Sequence, residues 1–533
     1  MTTASHNSPA TSPRRLLHRP EFWLLILFLV TLPLINPWVR GDGVGYYAYL
    51  RAPIIEHSLN FENDYRSANA SFRGGRVDEN GNLRPEFRTP TGHLENHFTI
   101  GPAILWSPFF LLAHAGVLFA RLFGAHVAAD GFSSPYRISM AFASALYAFL
   151  ALLLSFRLAR RYVDEWCAFL ATIAIWWASS LAIYMYFNPS WSHALSAFIV
   201  AVFIWCWHET LPVRHPLHWL LLGVITGIML DVYYPNAMVL VILLIEALPQ
   251  YVAALRPSSS KPFAATSSEP ASALRSGASR TPAAAANTLL ATSAAASKTA
   301  APTLPALLAN HALFAATAFV CFVPTLIAHH IIYGDALESG YVPLRHWLWH
   351  SPVFFSVLFS SEHGLLSWTP LLLFSLIGLV FFARRQPPVG VPLLAAAFAF
   401  YLFISCYPDW AGISSYGNRF FVSITMLFVV GLAVFLDAIL RRFPTRRRAF
   451  FVVSSAVLSL FMLWNVGLMF QWGSHLVPAR GPISFPEMIH NQFFVVPQQL
   501  TAKLQVYLFR RRKLMQQIED GDLQQLKQHP AAP

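Results

Sequence analysis

Apolar residues fall into eleven runs separated by polar stretches: 22–38, 136–158, 166–187, 192–208, 217–234, 236–255, 306–331, 364–383, 388–407, 418–440 and 449–470. A helix over any of them covers most or all of the roughly 30 Å of a hydrocarbon core, with 192–208 at the short end. A twelfth run, 101–123, is broken by Pro102, Pro108, His114, Gly116 and Arg121. Its pattern alone does not say whether it crosses the membrane or lies on it. The pattern predicts an all-α polytopic membrane protein with about eleven transmembrane helices. Further juxtamembrane helices are expected in a long first outer loop.

Composition agrees. Of 533 residues, 56% are hydrophobic and 12% charged, against about 25% charged in soluble domains. Many of the 16 tryptophans stand at the ends of apolar runs, as an interfacial belt requires. Cys167, Cys206, Cys321 and Cys406 all lie in apolar runs and form no disulfide or metal pattern. The net charge of +12 does not signal nucleic acid, because the arginines gather in short clusters beside apolar runs. Such clusters orient spans.

Charge bias then sets a topology. With the N-terminus inside and 101–123 lying on the outer face, the clusters at Arg157/Arg160/Arg161, Arg214, Arg256/Lys261, Arg384/Arg385 and Arg441–Arg448 all fall inside. The basic run Arg510–Lys513 is then left outside, on an expected interfacial helix over 497–518. The expected organisation is a disordered inside tail (1–21) and an N-terminal membrane module (22–255) carrying the outer loop 39–135. A disordered Ala/Ser/Thr/Pro linker (256–305) follows on the inside, then a C-terminal module (306–472) and an outer-face tail (473–533). In this arrangement seven of the 25 carboxylates are inside, and the other 18 are outside. The outer loops also hold the polar motifs "RGDG", "LENHF", "NPSWSH", "LDVYYPN", "SSEHG" and "DWAGISSYGNR". A binding or reaction site on the outer face is expected.

The order of these features resembles the GT-C superfamily of membrane glycosyltransferases, which includes protein O-mannosyltransferases and aminoarabinose transferases. "GDGVGYYAYL" is similar to the acidic start of their first outer loop. "NHFTIGPAILWSPFFLLAH" is similar to its second lying helix, and "PYRISMAFASALYAFLALLLSFRLARRY" to the span that follows. The resemblance covers 22–255 well and is looser beyond. It departs at Ile100-Gly101-Pro102, where many members have Lys-Pro-Pro, so another cation must neutralise phosphate here. The resemblance implies a polyprenyl-phosphate sugar donor, a glycan, lipid or protein acceptor, and a site facing the periplasm from a bacterial inner membrane.

It also implies that Asp42, just after the first span, is the catalytic base, although the same carboxylate could only cap a helix whose face is Val44, Tyr47, Leu50 and Ile54. Trp38, Tyr46 and Tyr47 offer flat faces to sugar rings or serve as belt residues. Glu95 and His97 are candidates for a second polar group. His193 opens a span, bound to backbone or to phosphate. Asp231 ends another span, in a functional role or paired with Tyr or His neighbours. The second module offers Arg345, Glu362, His363 and Arg419, whose guanidinium geometry suits phosphate oxygens. No metal-ligand spacing is diagnostic, so a divalent metal is an alternative and no cofactor is required. A polysaccharide polymerase or ligase would rely on arginines and a histidine in a late outer loop. A transporter would carry charged or broken helices at mid-membrane.

Overall fold

The computed structural model describes residues 19–74, 76–78, 80–211, 213–255, 303–478 and 483–528. The expected inside linker and most of the expected N-terminal tail lie outside them. Among the described residues the fold is helical, with only isolated bridges Val77–Leu83 and Arg88–Leu94. The main helices are α1 (Pro20–Thr31), α2 (Asp42–Arg51), α3 (Gly101–Leu122), α4 (Ser134–Ala159), α5 (Glu165–Trp177), α6 (His193–Thr210), α7 (Pro216–Val232), α8 (Val241–Leu255), α9 (Leu304–Tyr333), α10 (Leu372–Arg385), α11 (Pro387–Cys406), α12 (Thr425–Arg442), α13 (Arg447–Gly473), α14 (Val496–Phe509) and α15 (Arg511–Gln528).

Seven helical stretches among the described residues are long and apolar enough to cross a membrane, so the protein is a helical membrane protein. They include α3, α4, α9, α11 and the stretches that contain α8, α12 and α13. Pro20–Leu34, Glu165–Trp177 and Pro216–Val232 are shorter apolar helices. Three apolar runs thus give less helix than their length suggests, for local reasons. Pro33 and Pro37 end α1 early, because proline has no N–H for the helix ladder. The run 166–187 leaves its helix at Ala178 and resumes as one wide turn at Ile183–Phe187. The run 364–383 is split at Thr369-Pro370, where proline pushes the preceding residue out of helical geometry.

Helix α3 packs antiparallel to the first half of α4. Trp106 Nε1 donates to Ser144 Oγ (2.8 Å), Tyr147 OH donates to the Leu105 carbonyl (2.9 Å), and His114 Nδ1 meets Tyr136 OH (2.7 Å). The two helices therefore take their tilt together. Leu111, Leu112, Leu118, Phe119 and Leu122 remain exposed on α3, a surface suited to lipid.

The two membrane modules meet along α7 and α9. A Cβ on Gly223 would stand 1.9 Å from Thr317 Oγ1, and one on Gly227 would stand 2.5 Å from Cys321 Cβ. This pair of glycines four apart lets the helices touch backbone to backbone, as small residues do in membranes.

The bundle has two chemically different ends. One collects the arginine clusters and pairs them: Arg160 with Glu21 and Glu165, Arg161 with Glu209 (2.5 Å), Arg447 with Asp164 (2.8 Å) and Arg441 with Asp437 (2.5 Å). The other carries the loops, the C-terminal helices and a cavity. The interfacial helix expected over 497–518 is two helices, α14 and α15, with a break at Arg510. They lie on the cavity end. Tyr507 OH donates to the Leu34 carbonyl (2.7 Å), and Arg511 donates to the carbonyls of Pro33 (2.6 Å) and Ile35.

Candidate functional site

A cavity of about 820 Å³ opens where the two modules and α15 meet. The first module supplies the turn Arg40–Asp42, Tyr46, His97, Trp191 and His193. The second supplies residues 337–344, Trp347, Tyr407, Asp409, Arg419 and Phe420, and α15 supplies Asp522, Gln525 and Leu526.

The turn is built by its glycines. Gly41 has φ +53°, a conformation that costs a side chain dearly, and it caps α2. Asp42 is the first helical residue and makes no capping bond, which corrects the reading of it as the helix cap. The next two glycines serve packing within the protein. A Cβ on Gly43 would fall 2.1 Å from Ser190 Oγ, and one on Gly45 would fall 2.0 Å from the Phe98 ring. Helix α2 is therefore engulfed along its whole length, with Gly43–Arg51 all buried, and presents no solvent face.

Freed from capping, the Asp42 carboxylate turns into the cavity and accepts a bond from Arg419 Nη1 at 2.8 Å. These two residues are 377 positions apart and come from different modules. The Arg419 guanidinium lies over the Trp191 ring at 4.7 Å and near the Phe420 ring at 5.6 Å, positions that favour a cation. Trp191 is itself fixed, because its Nε1 donates to the Arg40 carbonyl (3.0 Å). Arg419 Nε is buried and has no partner among the described residues. One donor of the fork, Nη1, is thus committed to Asp42, while Nε is left without a partner among the described residues.

Tyr46 receives a hydrogen bond from Ser192 Oγ (3.0 Å), and burial raises its pKa well above the ordinary value, so it stays a neutral hydroxyl. His97 packs against Phe98 and Tyr341, and burial lowers it to about 4, with Asp42 pulling the other way. It is therefore neutral at physiological pH. His193 is buried among Tyr184, Trp191 and Tyr233, and its Nδ1 has no partner among the described residues. The backbone pairing weighed for it is not made by that atom.

Five other candidates sit elsewhere. Asp231 is buried away from the cavity and accepts from Thr325 Oγ1 (2.6 Å), not from a Tyr or His neighbour. Glu95 is absent from the lining, and burial raises its pKa while Arg76 lowers it. Arg345 is exposed beside His346. Glu362 lies in the turn before α10, outside the lining. His363 is buried against Trp368 with Nδ1 on the Ala411 carbonyl (2.9 Å), so it supports the loop behind Arg419 from the far side. Trp38 lies under Arg40 (4.6 Å), and Tyr47 donates to the Gly131 carbonyl (2.6 Å); neither lines the cavity.

Sequence reasoning missed three acidic groups in the lining, Glu338, Asp409 and Asp522. Asp409 lies in the flagged motif "DWAGISSYGNR", ten residues before Arg419. Burial pushes it up to about 6 despite the pull of Arg419. Asp522 lies in the tail, where nothing in the local pattern marks it. It holds Arg40 (2.5 Å) and His475 (2.8 Å) together. No group of three or more His, Cys, Asp or Glu side chains with room for a metal ion occurs among the described residues. The chain matches no protein-family model and no curated protein.

Proposed function

We propose that this protein is an inverting glycosyltransferase of a bacterial inner membrane. It moves a sugar from a polyprenyl-phosphate donor to a glycan, lipid or protein acceptor, in a site that faces the periplasm. The observation that carries the reading is the Asp42–Arg419 ion pair, which projects from two modules into one aromatic-walled cavity at the loop-rich end of the bundle.

The two charges divide the chemistry. An acceptor hydroxyl attacks the anomeric carbon as the bond from that carbon to the phosphate oxygen breaks. The electron pair leaves with the phosphate, and the hydroxyl proton passes to Asp42. Arg419 orients the Asp42 carboxylate through Nη1 and sets its positive charge against the negative charge that grows on the leaving phosphate. It takes the place of the lysine that the chain lacks near Ile100-Gly101-Pro102. Tyr46 and the neutral His97 supply hydrogen bonds without adding charge, and Trp191, Tyr233 and Tyr407 supply faces for a sugar ring. The polymerase or ligase reading is less well supported, since Arg345 and His363 of the late loops do not line the cavity.

The test is transfer from radiolabelled polyprenyl-phosphate sugars extracted from the source cells, with purified wild type and Asp42→Asn. Loss of a general base costs about 10²–10⁴ in rate, so the variant is expected to fold, retain donor and lose turnover by that factor. Near-normal turnover in the folded variant would reduce Asp42 to a structural partner of Arg419.

A further inference from the structure

The basic run at the break between α14 and α15 has no part in the cavity chemistry. It is also on the unexpected end of the molecule. The other juxtamembrane arginine clusters gather at the opposite end and are met there by carboxylates. Arg510–Lys513 lies beside the first span's last carbonyls, at the cavity end. Orientation rules disfavour that placement, so the cluster needs another reason to be there.

Only Arg511 is used by the fold. It caps the carbonyls of Pro33 and Ile35 and stacks on Tyr507 at 4.4 Å. This ties the break to the C-terminal end of the first apolar helix, Pro20–Leu34. Arg510, Arg512 and Lys513 are exposed, and none has an ion-pair partner among the described residues. They surround an open hollow of about 440 Å³ with Phe509 and Gln516. Phe509 is 79% exposed, and Phe493 and Phe494 on the same segment are exposed too. A bare Phe509 in the wall of a hollow with three uncommitted cations fits an acyl chain beside a phosphate.

We infer that the hollow is a docking site for the phosphate headgroup of an anionic membrane lipid in the leaflet at the cavity end. Arg510, Arg512 and Lys513 contact the phosphate, Gln516 the polar head, and Phe509 the chain region. The site holds the tail, and with it α15, against the membrane surface. Charge complementarity carries the choice of occupant: a zwitterionic lipid brings its own cation to a surface that already has three.

The experiment places the full chain in phosphatidylcholine nanodiscs containing phosphatidylglycerol with a photoactivatable headgroup. Cross-linked peptides are then mapped by mass spectrometry. Wild type is expected to label at 509–516. Arg510→Gln/Arg512→Gln/Lys513→Gln, which leaves Arg511 in place, should label there roughly tenfold less, with labelling at 441–448 unchanged as the internal reference. Unlabelled phosphatidylglycerol should compete, while phosphatidylcholine and millimolar inorganic phosphate should not. Equal labelling of the variant would overturn the site. Competition by inorganic phosphate as strong as by the lipid would make it a free-phosphate site, and would overturn the lipid assignment.

Discussion

Asp409 is a half-buried carboxyl on the cavity wall that accepts from the Ile413 N–H, and its titration has a calculable effect. Unfolded, it has the ordinary value near 3.9; folded, burial holds it at about 6. The folded state therefore binds the proton more tightly. Below pH 4 the group is neutral in both states and costs nothing. Between pH 4 and 6 ionisation favours the unfolded chain increasingly, and above 6 the penalty is constant. Asp409→Asn should raise Tm by about 1–2 °C at pH 8, for a penalty of about 1–2 kcal/mol. The gain should disappear at pH 4. A gain of the same size at both pH values would mean that ionisation of Asp409 is not its source. At this scale the sequence was legible for depth and blind to direction. Asp42, Tyr46, His97, His193 and Arg419 all turn into one cavity. Asp231, near the end of α7, faces α9 and Thr325 instead. Position along a run tells how deep a residue lies. Its heading around the helix depends on which neighbour packs there.

At the scale of elements, α15 is the brace of the site. Its Asp522 holds Arg40, and its Glu519 holds the Asn69 amide (3.0 Å) and the Ser71 N–H. Asn69 in turn accepts from the Gly41 N–H (3.3 Å). The residues on both sides of the turn before Asp42 are thus tied to one helix. Asp522→Asn keeps the shape of the side chain but releases Arg40 and His475 from their shared anion. Partly exposed pairs of this kind contribute about 1 kcal/mol or less. Global Tm should hardly move, while backbone amides at 40–45 should exchange with deuterium about three- to fivefold faster. Unchanged exchange there would show that α15 merely lies beside the turn. The sequence led to an expected interfacial helix over 497–518, and the segment is helical in two pieces. The sequence could not foretell the brace, because Arg40 and Asn69 lie 482 and 450 positions from the Asp522 and Glu519 that hold them.

Across the whole molecule, the apolar runs gave the helical membrane character, and the arginine clusters gave the pairing of loops at one end. Local chemistry decided the rest: prolines shortened α1 and split the run 364–383, lengths that mean hydropathy does not record. Orientation in the membrane is open to direct measurement. In a background with the four cysteines replaced by serine, Asp130→Cys and Leu337→Cys should react with an impermeant maleimide on intact cells. Ser276→Cys in the linker should react only after permeabilisation. Labelling of Ser276→Cys in intact cells would invert the topology.

The bond between Arg40 and Asp522 spans 482 positions. A ribosome adds about 5–20 residues each second, so on the order of 25–100 s separate the synthesis of its two ends. During that interval the spans can enter the membrane one after another, while the turn that bears Asp42 waits unbraced. A product terminated near Arg510 would insert with every apolar helix in place and still lack the piece that steadies its carboxylate. Synthesis as far as Asp522 is thereby built into the geometry of the turn, and insertion of the apolar helices alone is a poor sign that the turn is braced.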